Sequence, residues 1–463
     1  MGNEASPSHP AAPVPLLTVD ELRALVPDRE VTTVMVAVPD MAGRLKGKRV
    51  EASHFLDGLP AGPEMCKYVL ATDVDMNALP GYSLAGWHEG FGDLRVIPNV
   101  ATIRRISYLP GTVLVHGDAV DSGGWPVEVA PREMLRRQLE ALTAHGLHAK
   151  VGIESEFVLY KGTPTQVRRR GYRDLTPVSP FNLDYALDHP PALSAFFSDL
   201  QETLHQAGSP AEAIKTEGSP GQIEVTWPYG DPMRACDTYT VQKHAVRHLA
   251  AQHRMTPTFM AAPQTGVGSG MHLHISLWTD NGEPAFGVQR PDELPELLEH
   301  SLAGLLSGLP GMALWYAPTL NSYKRYVPRQ FAPTAFTWGW DNRTCAIRAV
   351  GHAASTHLEV RLPGADANPY LALAATIAAI NHGISDQPEL PEPCTGDAYE
   401  THGLPRVPRN LDEAVFAFLQ SKTVTNAFGL PVVDHYTRAA GLEIAALAGQ
   451  VTDVERERGF DRA

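Results

Sequence analysis

Pairs of ionisable residues two positions apart recur along this chain, and in a pleated strand that spacing puts both side chains on one face. "GIESEFVLY" carries Glu154 and Glu156, "GMHLHISLW" carries His272 and His274, and "HLEVRLPG" carries Glu359 and Arg361. In "KTEGSPGQIEVTW", Glu217 precedes a Gly/Pro turn and Glu224 opens the next strand. Any antiparallel strand with one wet face alternates in this way, so no pair carries an argument alone. Together they do, because wet faces more often carry Lys, Thr or Ser than glutamates and histidines. Converging carboxylates with one or two imidazoles are what hard divalent cations need: oxygen ligands for Mg²⁺ or Mn²⁺, with nitrogen more comfortable on Mn²⁺. Two such ions would clamp a transferring phosphoryl group.

Arginine is the second ingredient. "WDNRTCAIRAVG" holds Arg343 and Arg348, and "NSYKRYVPRQFAP" holds Arg325 among tyrosines and prolines. A planar guanidinium donates two parallel hydrogen bonds to a phosphate or carboxylate. "GVGSGMH" is a flexible loop that lets backbone approach closely, but it lacks the Rossmann spacing and the Walker lysine. These patterns define a metal-dependent enzyme handling phosphate and leave its substrate open.

The elements that must position these residues follow from periodicity. "TVDELRALV" reads as a helix capped by Thr18, and "EVTTVMVAVPD" as a strand. "YVLATDVDMNALPGYS" and "GDLRVIPNVATIRRISYLPGTVLVHGDAV" read as short β-prone runs of a sheet-rich N-terminal unit ending near Asp121. From "APREMLRRQLEALTAHGL" onward, helical patterns interleave with the strands already quoted and with "CAIRAV", giving an α+β body. "PYLALAATIAAINHGI" and "LDEAVFAFLQS" are helices flanking a Pro-rich connector. The start, residues 1–15, reads as a disordered Pro/Ala/Ser tail.

Composition narrows the function classes. The 463 residues carry a formal net charge of −14, which disfavours nucleic acid or an anionic membrane as the main partner. No apolar run approaches the roughly 20 residues that span a bilayer. The four cysteines never reach CxxC spacing, so neither a disulfide framework nor a structural zinc site is expected, and a reducing cytoplasm is the expected compartment.

The motifs "GIESEF", "TEGSPGQIE", "GSGMHLHISL", "NSYKRYVP", "DNRTCAIR" and "HLEVRLPGADANPYLA", in this order, resemble the glutamine synthetase family. The resemblance implies a small N-terminal β-grasp domain, taken as 16–121, and a large catalytic domain, 122–463, with a curved antiparallel sheet and helices. It also implies a homo-oligomer, a dodecamer of two hexameric rings with active sites shared between neighbouring subunits. The substrates implied are ATP and L-glutamate, with two or more Mg²⁺ or Mn²⁺ ions per site. Glu156, Glu217 and Glu224 match ligands of one ion, and Glu154, His272 and Glu359 match ligands of the other. His274, Arg343 and Arg348 match positions that hold ATP phosphates; Arg325 and Arg361 match those that hold glutamate carboxylates, with Gly268 in the glutamate loop. Asp40, in "PDMAGRLKGKR", matches an acid that a neighbouring subunit contributes to the ammonium site. Asp40, Glu217 and Arg343 are therefore the expected catalytic residues.

The chain departs from glutamine synthetases proper at the flap. Where they carry a glutamate that closes over the ammonium site, this chain has Phe331; Val267 and His357 also replace an Asn and an Arg. Losing that acid weakens ammonium binding, and the ring offers an apolar or cation–π wall to a larger amine. The "GRLKGKR" and "PGADANPY" variants resemble those of the glutamine synthetase-like ligases that make γ-glutamylpolyamines, γ-glutamylputrescine or γ-glutamylethanolamide. The expected activity joins the γ-carboxyl of L-glutamate to a small organic primary amine, in amine assimilation or detoxification. If Arg329 pointed inward it would repel a polyamine and favour ethanolamine. The rivals are an ordinary ammonia-using glutamine synthetase and a non-catalytic structural oligomer. Tyr399 lies near a region modified in some relatives, but its neighbours differ and no regulatory role is assigned.

Overall fold

The computed structural model describes residues 16–287 and 294–462. The expected tail, 1–15, lies outside the described residues. The capping box at Thr18 and Glu21 opens the first helix, Val19–Leu25, as its sequence predicts.

Six strands form the first sheet: β1 (Thr33–Pro39), β2 (Leu45–Glu51), β3 (Glu64–Cys66), β4 (Asp93–Pro98), β5 (Arg104–Arg105) and β6 (Thr112–Val120). Their order is β2-β1-β6-β4-β3, with β5 on β6. The run "YVLATDVDMNALPGYS" does not extend the sheet. It makes a 3₁₀ turn, Lys67–Leu70, followed by a tight turn in which the Asp73 carboxylate accepts from the Asp75 and Asn77 amides at 2.9 and 2.8 Å. That local capture takes the donors a strand ladder would need.

The second sheet has eight strands: β7 (Leu147–Lys161), β8 (Ala213–Thr216), β9 (Gln222–Thr226), β10 (Met255–Thr258), β11 (Met271–Thr279), β12 (Trp338–Trp340), β13 (Ile347–Val350) and β14 (His357–Val360). The order is β12-β13-β14-β11-β7-β9-β8, with β10 on β7. One face is apolar: Val151, Ile153, Phe157 and Leu159 of β7 and Met271, Leu273 and Ile275 of β11 are buried. Helices Pro131–Thr143 and Pro232–Gln252 pack along β7. Ser155, on the same face, donates to Gln242 of the latter helix at 3.1 Å. The opposite face carries the ionisable pairs.

Behind this layer, helices Glu296–Tyr316 and Pro369–Asp386 pack against each other. They approach closely because glycines face each other there: a Cβ on Gly383 would lie 2.0 Å from the His300 carbonyl oxygen and 2.7 Å from Gly304 Cα. The Asn368 side chain caps the second helix by accepting from the Tyr370 amide, while its Nδ2 donates to the Asp40 and Met41 carbonyls at 3.0 and 3.1 Å. One amide thus ties the turn after β1 to the loop after β14. Gly383→Ala is expected to force the helices apart at a cost of about 1–3 kcal/mol, as overpacked cores show. Urea denaturation reads this as a lower midpoint with an unchanged slope.

Candidate active site

Register brings the pairs together. Glu156 of β7 lies opposite Glu224 of β9, and Glu154 lies opposite His272 of β11. His274 lies opposite Glu359 of β14, which lies opposite Arg348 of β13. The offsets are even, so all these side chains emerge on one face as a diagonal row across five strands. Glu217 joins from the turn after β8.

In one half of the row, Glu154 Oε1 lies 2.9 Å from His274 Nε2, and Glu154 Oε2 lies 2.8 Å from His272 Nδ1. Glu359 lies 3.3 Å from His272 Nδ1, accepts from Arg348 Nη1 at 3.0 Å and is hydrogen-bonded to Arg361. The two imidazoles hold the Glu154 carboxyl well below the usual carboxylate range against the opposing effect of burial. Ligand atoms of Glu154, His274 and Glu359 fall within 4.8 Å of one another. In this set His274, matched above to ATP phosphates, stands beside Glu154 and Glu359, and His272 bridges the same two carboxylates from the other side.

In the other half, Glu156 Oε2 accepts from Gln222 Nε2 at 2.7 Å and from the Gly270 amide at 2.8 Å. Burial, with the charges of Glu154 and Glu217 and more weakly Glu156, pushes the Glu224 carboxyl up to about 10. A carboxyl driven to keep its proton marks more negative charge than the side chains balance. Oxygen-rich donors with a clustered imidazole therefore fit Mg²⁺ or Mn²⁺.

The arginine side of the site is zipped together by loops. Ser322 Oγ and Thr319 Oγ1 donate to Asp366 Oδ2 at 2.7 and 3.2 Å, and Asn321 exchanges two hydrogen bonds with the Ala262 backbone. These pin "NSYKRY" between the glycine loop and "PGADANPY". Buried Arg325 donates to the carbonyls of Leu362 and Arg361 at 3.0 and 3.2 Å. Arg361 is buried as well, and its Nε has no hydrogen-bond partner. A Cβ on Gly270 would sit 2.7 Å from Arg325 Nη2, 2.9 Å from His272 Nε2 and 3.1 Å from Glu156 Oε1, so only glycine leaves this cradle open. Gly268 packs on the Arg325 stem, and its carbonyl accepts from Gln222.

Three expected residues lie apart from the row. Asp40 is buried in the β1–β2 turn, where its carboxylate accepts from Arg44 Nε at 2.7 Å and from the amides of Ala42 and Arg44. Arg343 is exposed beside Asp341, which accepts from Arg348 Nε at 2.9 Å. Phe331 is 64% exposed with φ 54°, and its carbonyl accepts from Arg361 Nη2 at 3.3 Å. Arg329 turns outward to Glu400 at 3.0 Å, so it supplies no charge against a polyamine. The Tyr399 hydroxyl donates to the Ala332 carbonyl, docking the flap on the segment after the Pro-rich connector.

Residues that pattern reading missed line a cavity of about 830 Å³ beside the row. Trp227, Tyr229 and Trp278 form its aromatic wall, with Lys150 Nζ 3.3 Å from the Trp278 ring; Glu154, His274 and His357 close its inner end. The His274 and His357 rings are 5.2 Å apart. Trp278 follows His274 and Ser276 on the same face of β11, and Trp227 and Tyr229 lie just past the end of β9, so the wall is visible only once the strands are aligned.

The glutamine synthetase catalytic-domain family matches residues 128–459. A gamma-glutamylethanolamide synthetase of Streptomyces coelicolor is 42% identical over 449 residues, covering 97% of this chain and 96% of that protein. The gamma-glutamylputrescine synthetase of Escherichia coli is 32% identical over 437 residues, covering 92% and 90%. A solved structure, the GmaS/ADP complex, superposes with a TM-score of 0.81 over 95% of this chain and 99% of that one, at 24% identity, which speaks for the fold. The chain belongs to the glutamine synthetase family, and its fold is the α+β arrangement of that family.

The raised Glu224 carboxyl has a signed consequence. Without divalent ions the native state keeps a proton that the unfolded chain loses above the ordinary value of 4.5, so rising pH disfavours the native state up to about 10. Glu224→Gln removes this proton. In chelator, the stability advantage of E224Q over the unsubstituted protein is expected to grow between pH 7 and 8 by up to about 1.4 kcal/mol per pH unit, measured by urea denaturation.

Proposed function

We propose that this protein is an ATP-dependent ligase that joins the γ-carboxyl of L-glutamate to a small organic primary amine through γ-glutamyl phosphate. The observation that carries this reading is the row of carboxylates and imidazoles set directly beside two buried arginines. The aromatic cavity suits a nucleotide in volume and in wall chemistry. Its phosphates would meet His274 at the inner end and Arg348 further along the row, with exposed Arg343 swinging in from beside Asp341. Arg325 and the spare Nε of Arg361 hold the glutamate carboxylates, and Gly268 and Gly270 keep side-chain atoms out of that space.

Divalent ions would be held by Glu154, Glu359 and the histidines on one side and by Glu156, Glu217 and Glu224 on the other. When bound they supply positive charge to the γ-phosphate as it transfers to the glutamate carboxylate. The amine must lose a proton before it displaces phosphate, and half-buried Glu217 is placed at the row's open edge to accept it. Asp40 is read as a residue contributed to a neighbouring subunit's site, which requires its Arg44 pair to open. The same reading takes 16–121 as a β-grasp domain and 122–463 as the catalytic domain, supported by a family match that begins at residue 128. It also takes the assembly as a dodecamer and the compartment as the cytoplasm. Among the described residues no helix is long and apolar enough to cross a membrane.

Ethanolamine is the first amine proposed, on the 42% identity to the Streptomyces protein, with putrescine second. The flap agrees with an organic amine: Phe331 brings no negative charge. The test is phosphate release with glutamate, ATP and Mg²⁺ across ammonia, methylamine, ethanolamine and putrescine, with product masses. Organic-amine turnover above that with ammonia is expected. Turnover of ammonia alone overturns the reading. Phe331→Glu is expected to lower kcat/KM for the organic amine about tenfold, the scale of one lost cation–π contact.

A further inference from the structure

Three carboxylates crowd the Glu224 half of the row, and the structure places one ammonium among them. Lys215 lies opposite Glu224 in the β8–β9 register, so its side chain leaves the sheet on the same face. Its Nζ is hydrogen-bonded to Glu217 Oε1 and lies 3.8 Å from Glu224 Oε1. The same nitrogen lies 3.8 Å from Asp184 Oδ1 and 4.5 Å from the Tyr185 ring centroid. Asp184 and Tyr185 belong to a loop fastened to the row's edge by Thr216 Oγ1, which donates to the Leu183 carbonyl at 2.6 Å, and by Asn182 Nδ2, which donates to the Gly218 carbonyl at 2.9 Å.

We propose that Lys215 is a built-in counter-cation of this half of the site. It holds Glu217 and Glu224 together before an ion binds, and the ion displaces its ammonium onto Asp184 and the Tyr185 ring. This rests on reading Glu156, Glu217 and Glu224 as ligands of one divalent ion. Charge supports the exchange: with the ion bound and Glu156, Glu217 and Glu224 all ionised, three carboxylates against one ammonium leave two negative charges, which one divalent ion neutralises with Lys215 still nearby. Position supports it too, because an ammonium bonded to Glu217 and close to Glu224 occupies the space a shared ligand sphere needs. Asp184 and Tyr185 supply a second place for the same nitrogen within a short swing, a carboxylate on one side and an aromatic face on the other. Lys215 is a positioning residue in this account, because it acts through the carboxylates.

The test is Mn²⁺ binding by calorimetry, together with thermal unfolding in chelator, for Lys215→Met, Asp184→Asn and the double variant. K215M is expected to bind Mn²⁺ about tenfold more tightly, since the competing cation is gone, and to unfold at a lower temperature in chelator. D184N is expected to weaken Mn²⁺ binding about threefold when Lys215 is present and to leave it unchanged in K215M, the signature of coupled sites. Unchanged or weaker Mn²⁺ binding in K215M overturns the proposal, as does an equal effect of D184N in both backgrounds. E224Q separates the underlying reading: if it binds as many Mn²⁺ ions as tightly as the unsubstituted protein, Glu224 is no ligand, whatever K215M does.

Discussion

Mutual repulsion of carboxylates on one face of one sheet is the constraint on which the rest of this structure depends. Strand register forces Glu154, Glu156, Glu224 and Glu359 into a single row, and like charges at that spacing are tolerable only with compensation. Every neighbouring element supplies some. β11 brings two imidazoles, β13 brings Arg348, the loop after β14 brings Arg361, and β8 brings Lys215. Glu156 is instead satisfied by neutral donors, an amide side chain and a backbone N–H. What remains uncompensated bears on Glu224, whose carboxyl it drives to keep its proton, and that surplus of negative charge around it suits the site to cations.

The loops answer a second demand, which is to keep two cationic side chains buried close to one another. Arg325 and Arg361 both sit below the surface, where burial and mutual repulsion work against them. Carbonyl oxygens of Leu362, Arg361 and Phe331 take up three of their donors, and Glu359 a fourth. The Ser322–Asp366 contact and the Tyr326 hydroxyl on Leu362 then fix the spacing of the two loops. On the proposed reading, a glutamate carboxylate arriving there would meet donors already oriented, which lowers the ordering cost of binding.

Much of this was legible in the sequence, for a definite reason. A strand repeats every two residues, so residues sharing a face are visible from spacing alone, and the Glu154/Glu156, His272/His274 and Glu359/Arg361 pairs all lie where that period puts them. Cross-strand register has no such signature. Which carboxylate would face which imidazole, and that Lys215 would stand between Glu217 and Glu224, depends on pairings between segments far apart in the chain. The run after Tyr68 was misread for the opposite reason: its β-prone residues were visible, but the competing Asp73 turn outweighed them. The aromatic cavity was hidden because Trp227, Tyr229 and Trp278 meet only after β7, β9 and β11 align.

The placement of Phe331 bears on how such a protein changes over generations. The side chain lies on an open loop, contributes nothing to the buried core and is linked to the site only through its backbone carbonyl. A replacement there removes no buried contact, and its cost is set by how well the new residue tolerates the left-handed backbone at this position. The row and the paired arginines, by contrast, allow almost no exchange. If Phe331 faces the amine as proposed, partner preference can drift one substitution at a time at the flap while the chemistry beneath it stays fixed.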